Sequence, residues 1–188
     1  MFGNKKESLY LGQFLRLFLQ KIVKGEAEIR LPKDVSFTKK ELEKIKQELF
    51  YFRIIILGYQ LIDHRRFGGT KFNNEEIGKT LGIAFSLALQ DTGSSKPDAE
   101  KQSESLIERI GIYEDYLGNL SQKELKEHGI YFNLIQCFEK IVLGDNSKRL
   151  LTNEGRDKAF TVFDYGKQTY RNLEEAFKGL IKTIKFLD

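Results

Sequence analysis

The chain has 188 residues, 40% of them hydrophobic, which excludes a disordered segment and is enough to bury a sizeable core in one domain. Its 31 basic and 27 acidic residues leave a net charge of +4, unevenly placed: 14 basic against 8 acidic over 1–66, 8 against 12 over 67–144, and 9 against 7 over 145–188. A single cysteine, Cys137, excludes an internal disulfide framework and a Cys-x-x-Cys metal site, and only two prolines, Pro32 and Pro97, leave room for long helices.

Four helix starts share one signature, a short polar residue followed three positions later by Glu: Asn4 and Glu7, Thr38 and Glu41, Asn73 and Glu76, Ser121 and Glu124. The first side chain caps free N–H groups of the opening turn, and the Glu reaches back to the cap's own N–H. Phe37 with Leu42, Phe72 with Ile77, and Leu120 with Leu125 add apolar staples to the last three.

The first predicted helix spans 5–24 and stops at Gly25. Lys5 and Lys6 precede an apolar stretch, but Glu7, Gln13 and Arg16 interrupt it, which does not suit a signal peptide. In the connection that follows, Ala27 to Leu31 reads as a short extended piece. The second helix, 39–66, carries the stripe Leu42, Ile45, Leu49, Phe52, Ile56 and Tyr59. Its run from Phe50 to Leu57 is apolar on more than one face, so burial on several sides is expected. Arg53 and Gln60 interrupt the apolar stretch 49–62, which is too short to cross a bilayer.

Residues 63–71, Asp-His-Arg-Arg-Phe-Gly-Gly-Thr-Lys, are the chemically densest stretch. Arg65, Arg66 and Lys71 beside flexible glycines suit a phosphate or carboxylate. The plainer reading is that the basic groups offset the negative end of the second helix and the glycines close it. No Walker-type Gly-Lys-Ser/Thr ending is present.

The third helix spans 74–92, with Ile77, Leu81, Ala84 and Ala88 on one side. Residues 76–83 resemble the first half of a helix-turn-helix, with a glycine, Gly82, at the turn position. The would-be reading helix, from Ala84 to Gln90, lacks the Arg, Lys and Asn that read bases, so a buried helix packed through small residues is the expectation. The fourth helix, 99–118, starts at Asp98 after Pro97 and carries Leu106, Ile110, Tyr113, Leu117 and Leu120. The fifth spans 122–143 and places Cys137 among Leu134, Ile135, Phe138 and Ile141 as a small core residue. The sixth, 154–187, starts near Thr152 or Asn153. Its stripe runs through Ala159, Phe163, Gly166, Tyr170, Leu173, Phe177, Leu180, Ile184 and Leu187. Gly58, Gly78, Gly82 and Gly166 fall inside helices, where close helix approach or a kink is expected to offset their cost.

Catalytic and metal signatures are absent. His64 and His128 form neither Glu-x-x-His nor His-Glu-x-x-His, so no metal and no cofactor is expected. Glu75 with Glu76 and Glu114 with Asp115 are carboxylate pairs on helix termini or surface-like faces rather than in a cleft. No nucleophile elbow is present. The eight tyrosines read mainly as core residues with the hydroxyl at the rim.

These readings converge on one all-α domain over 1–188, about six helices in a mostly up-and-down bundle with the second and sixth at its centre. The expected function is a non-enzymatic protein-interaction module or small subunit of an assembly, cytoplasmic and off the membrane, with a protein partner or self-association. One alternative is a nucleic-acid-associated protein using Lys39, Lys40, Lys44, Arg65, Arg66 and Lys71 on a basic N-terminal face. Another is a small-ligand-binding bundle or enzyme with an internal pocket.

Overall fold

A computed structural model describes residues 7–25, 35–66, 73–144 and 150–187. The protein is all-α, with seven helices and one short strand pair among the described residues. In chain order these are β1 (Glu7–Tyr10), α1 (Leu11–Lys24), α2 (Lys39–Arg66), α3 (Asn74–Asp91), α4 (Lys96–Gly118), α5 (Gln122–His128), α6 (Ile130–Leu143), α7 (Asn153–Ile181) and β2 (Ile184–Leu187). No helix among these residues is long and apolar enough to cross a membrane.

Three of the four predicted starts form their reciprocal caps. The backbone N–H of Asn73, Thr38 and Ser121 each donates to the Glu three residues on at 2.8 Å. The N–H of that Glu donates back to the cap side chain at 2.8 Å for Asn73 and 3.2 Å for the other two. The fourth differs. Asn4 lies outside the described residues, Glu7 opens β1, and α1 starts at Leu11, where the Tyr10 N–H donates to Gln13 Oε1 at 3.2 Å. The staple residue Phe72, the extended piece over 27–31 and the loop over 67–71 also lie outside the described residues.

Two other boundaries move for identifiable reasons. Helix α4 starts at Lys96 rather than after Asp98, because Ser95 is the cap: its Oγ accepts from the Asp98 N–H at 3.3 Å and donates to Asp98 Oδ2 at 2.6 Å. Pro97 then sits in the first turn, where its missing N–H costs nothing. The predicted helix 122–143 is two helices, broken at Gly129. That residue takes φ +78°, a region open to glycine, ends α5 and starts α6.

The chain folds into two compact units. The first takes Met1–Glu26, Ile54–Glu108 and Asn172–Asp188; the second takes Ala27–Arg53 and Arg109–Arg171. In the first unit α1 packs on α3, and Arg16 forks onto Asp91, its Nε 2.6 Å from Oδ2 and its Nη2 2.5 Å from Oδ1. The ring of Phe14 meets those of Phe18, Phe177 and Phe186 at 5.9, 6.2 and 5.4 Å. Four consecutive residues of α2, Ile54 to Leu57, are all buried, as the breadth of the apolar run predicted. Strands β1 and β2 pair in parallel, from Glu7 opposite Ile184 to Tyr10 opposite Leu187, so α7 ends at Ile181 and residues 184–187 are extended.

The second unit is built on stacked rings. Phe52 lies 5.9 Å from Tyr113 and 5.0 Å from Phe138, both nearly parallel to it. Gly166 of α7 presses on α6: a Cβ there would stand 2.9 Å from Ile135 Cγ2 and 3.1 Å from Phe138 Cδ1. Helix α7 contributes residues to both units. Its stripe is only partly buried, at Ala159, Gly166 and Phe177, while Phe163, Tyr170, Leu173 and Leu180 are half-buried.

Candidate functional site

The strongest buried polar cluster lies in the second unit. Glu48 of α2 is 1% exposed; Arg109 Nε stands 3.1 Å from its Oε2, and the Tyr113 hydroxyl donates to its Oε1 at 3.3 Å. Burial pushes the Glu48 carboxyl up, against the opposing pull of Arg109 and Tyr113. Burial, followed by the nearby Glu48 charge, also raises the Tyr113 hydroxyl well above its usual value. The Cys137 thiol, buried beside them, is pushed up to about 12 by the same two causes. A thiol held protonated and out of solvent is no nucleophile.

One consequence is measurable. The folded protein holds the Glu48 proton more tightly than the unfolded chain does. Its contribution to stability is therefore full below the ordinary value of 4.5 and is lost as pH rises through the folded value. Glu48→Gln keeps an amide oxygen for Tyr113 and cannot ionise. Urea melts over a pH series should show the variant gaining on the parent as pH rises above 4.5. A flat or falling difference would mean that the ion pair with Arg109 outweighs the cost of burial.

The basic residues singled out in the sequence divide between the two units. Lys39, Lys40 and Lys44 are exposed on the first two turns of α2, in the second unit, with Glu43 exposed among them. Arg65 and Arg66 form the last residues of α2, in the first unit, and Lys71 lies outside the described residues. No group of three His, Cys, Asp or Glu among the described residues is placed to hold a metal. His64 meets Phe177 edge-on at 6.1 Å, and His128 lies against Phe132 at 4.9 Å.

Helix α3 presents a different kind of feature. Its inner side is apolar throughout: Ile77, Leu81, Ala84, Phe85, Ala88 and Leu89 are buried. It runs unbroken from Asn74 to Asp91, so Gly82 marks no turn and the helix-turn-helix resemblance ends there. The outer side is unusual for a helix facing water. Ile83 is 64% exposed and Leu87, one turn on, 38%. Gly78 and Gly82 lie on the same outward half of the helix, and a Cβ added at either would meet nothing within 4 Å. Each glycine costs the helix up to about 1 kcal/mol relative to alanine. At Gly58, by contrast, a Cβ would stand 3.3 Å from Leu81 Cδ2, so that glycine does answer to close packing. The rest of the outer face is polar: Lys79 Nζ pairs with Glu75 Oε1 at 2.6 Å, and Gln90 Nε2 donates to Ser86 Oγ at 3.3 Å.

Reading the third helix as buried through small residues accounts for its alanines. It misses the outward glycines and the two exposed apolar residues beside them. Their spacing was the available signal: helical periodicity already puts residues 82, 83 and 86 on the half opposite 77, 81, 84 and 88, with 78 and 87 at its two edges. No family model, curated protein or solved structure matches this chain.

Proposed function

We propose that the protein is a non-enzymatic interaction module that docks through the outer face of α3, and that this face takes the same helix of a second copy. The observation that carries the reading is an outward apolar surface, Ile83 and Leu87, beside the bare backbone of Gly82. An antiparallel crossing about a two-fold axis near Ile83 brings the Ile83 side chains of the two copies together beside the bare backbone of Gly82. The same register sets Ser86 against Lys79 and Gln90 against Glu75. Such a face is self-complementary, as a two-fold interface requires. Small residues let two helices approach closely, and the apolar surface of Ile83 and Leu87 leaves water. Gly82, which gains nothing within the chain, acquires a physical role in the pair. The absence of a convergent catalytic set among the described residues favours a binding role over an enzymatic one.

Sedimentation equilibrium or native mass spectrometry over a concentration series tests this. The parent should form dimers as concentration rises. Ile83→Lys and Gly82→Val should stay monomeric with unchanged helical circular dichroism, because both positions face outward. A parent that remains monomeric at its highest attainable concentration, or variants that dimerise equally well, would overturn the proposal.

A further inference from the structure

A groove of about 450 Å³ opens in the first unit between α1 and the start of β2, within the size range of small-ligand sites. Its lining is sorted along α1 rather than mixed. Phe14, Leu17 and Phe18 come first, with Ile184 across from them, and Lys21 and Lys24 follow one and two turns further on. At 1.5 Å per residue, Lys21 stands about 10 Å and Lys24 about 15 Å along the axis from Phe14. Leu17 is 52% exposed although it adjoins the buried Phe14 and Phe18, so an apolar floor continues out to water. Among the described residues, the carboxylate whose charge acts on Lys24 is that of Asp91. That carboxylate is held by the Arg16 fork and by Gln20, whose Nε2 donates to Oδ2 at 2.5 Å. Arg16 and Asp91 offset each other, and Lys21 and Lys24 line the groove as its two cationic side chains.

Lysines in the last turn of α1 also complement the negative end of the helix. That role explains the charges. It does not explain an apolar trough, left open, that leads into them.

We infer that this groove binds a single-chain anionic amphiphile, a medium-chain carboxylate, with the tail over Phe14, Leu17 and Phe18 and the head group at Lys21 and Lys24. A hydrocarbon tail gains by leaving water along the trough, and the head group meets two exposed ammonium groups at its end. The charge order selects against a cationic head on the same tail. The site is separate from the outer face of α3 and does not depend on the dimer.

Calorimetric titration of the full-length protein with monomeric decanoate, decyltrimethylammonium and octanoate tests the inference. Decanoate should bind at least tenfold tighter than the ammonium compound of equal tail. It should also bind tighter than octanoate, by about fourfold for each methylene buried. Lys21→Ala with Lys24→Ala should abolish the head-group preference, and Leu17→Gln should weaken both amphiphiles. These residues lie at the surface or half exposed, and circular dichroism confirms the fold in each case. Ile83→Lys should leave decanoate binding unchanged. Equal affinity for the two head groups, indifference to the lysine substitutions, or no binding of decanoate would each overturn the proposal. Binding confined to anionic vesicles, with monomeric decanoate inert, would overturn it in favour of a membrane surface.

Discussion

Phe52→Ala should destabilise the protein by about 3–5 kcal/mol, the range for removing a fully buried aromatic ring. Phe52 has no exposed surface, and it stacks on two other rings that have none, Tyr113 at 5.9 Å and Phe138 at 5.0 Å. Its loss removes the transfer free energy of the ring and leaves a cavity. The surroundings cannot collapse readily into that cavity, because Phe138 is also braced by Gly166 on α7. Tyr113 is tied by its hydroxyl to the buried Glu48, so movement of that ring to fill the space would break a buried hydrogen bond. Chemical denaturation with a linear extrapolation measures the loss. A cost below about 1 kcal/mol would show that the three rings do not form a rigid stack.

Gly166→Leu should cost at least about 3 kcal/mol, the upper end of the range for overpacking a close-packed contact. Even the first added atom is obstructed, at 2.9 Å from Ile135 Cγ2 and 3.1 Å from Phe138 Cδ1. Both obstacles belong to buried side chains, and one is a branch methyl next to its own backbone, so neither can swing aside. Gly166→Ala shares the obstruction and should lose stability despite the better helix propensity of alanine. Gly82→Ala has the opposite sign. With nothing within 4 Å of its Cβ, it should raise the stability of the dilute protein by about 0.5–1 kcal/mol. That gain should shrink as concentration rises, because the same methyl fills a hollow that the second copy needs. Thermal melts of the three variants at two protein concentrations separate these effects.

Much of the fold was legible because helix ends are written locally. The caps at Thr38, Asn73 and Ser121 each use two residues three apart, and the inner faces of α2 and α3 follow from periodicity within single helices. Gly129 was legible in principle, since it is a glycine after a basic residue at a helix end, but the strong apolar pattern on both sides of it suggested continuity. The β1–β2 pair was not legible. Four residues near one end and four near the other carry no local sign that they pair, and both continue apolar patterns that suit a helix. The Glu48–Arg109–Tyr113 cluster was hidden for the same reason: its members come from α2 and α4, more than sixty residues apart in sequence. The outer face of α3 needed a structural fact of a different kind, namely which of two opposite faces of a helix stays open to water.

The strand pair joins positions separated by 177 residues, so its loop-closure cost is offset only after α1 and α7 have been brought together. Pairings of such long range form late in folding, and a ladder of four pairs, with no third strand among the described residues, is among the first elements to open again. Native-state hydrogen exchange should therefore find the amides of 184–187 among the least protected of the regular structure. Leu9 and Ile184 of this pair also line the groove beside α1, so opening of the strand pair would loosen one wall of that groove. A ligand seated there would slow exchange in both strands at once, although it touches only one residue of each.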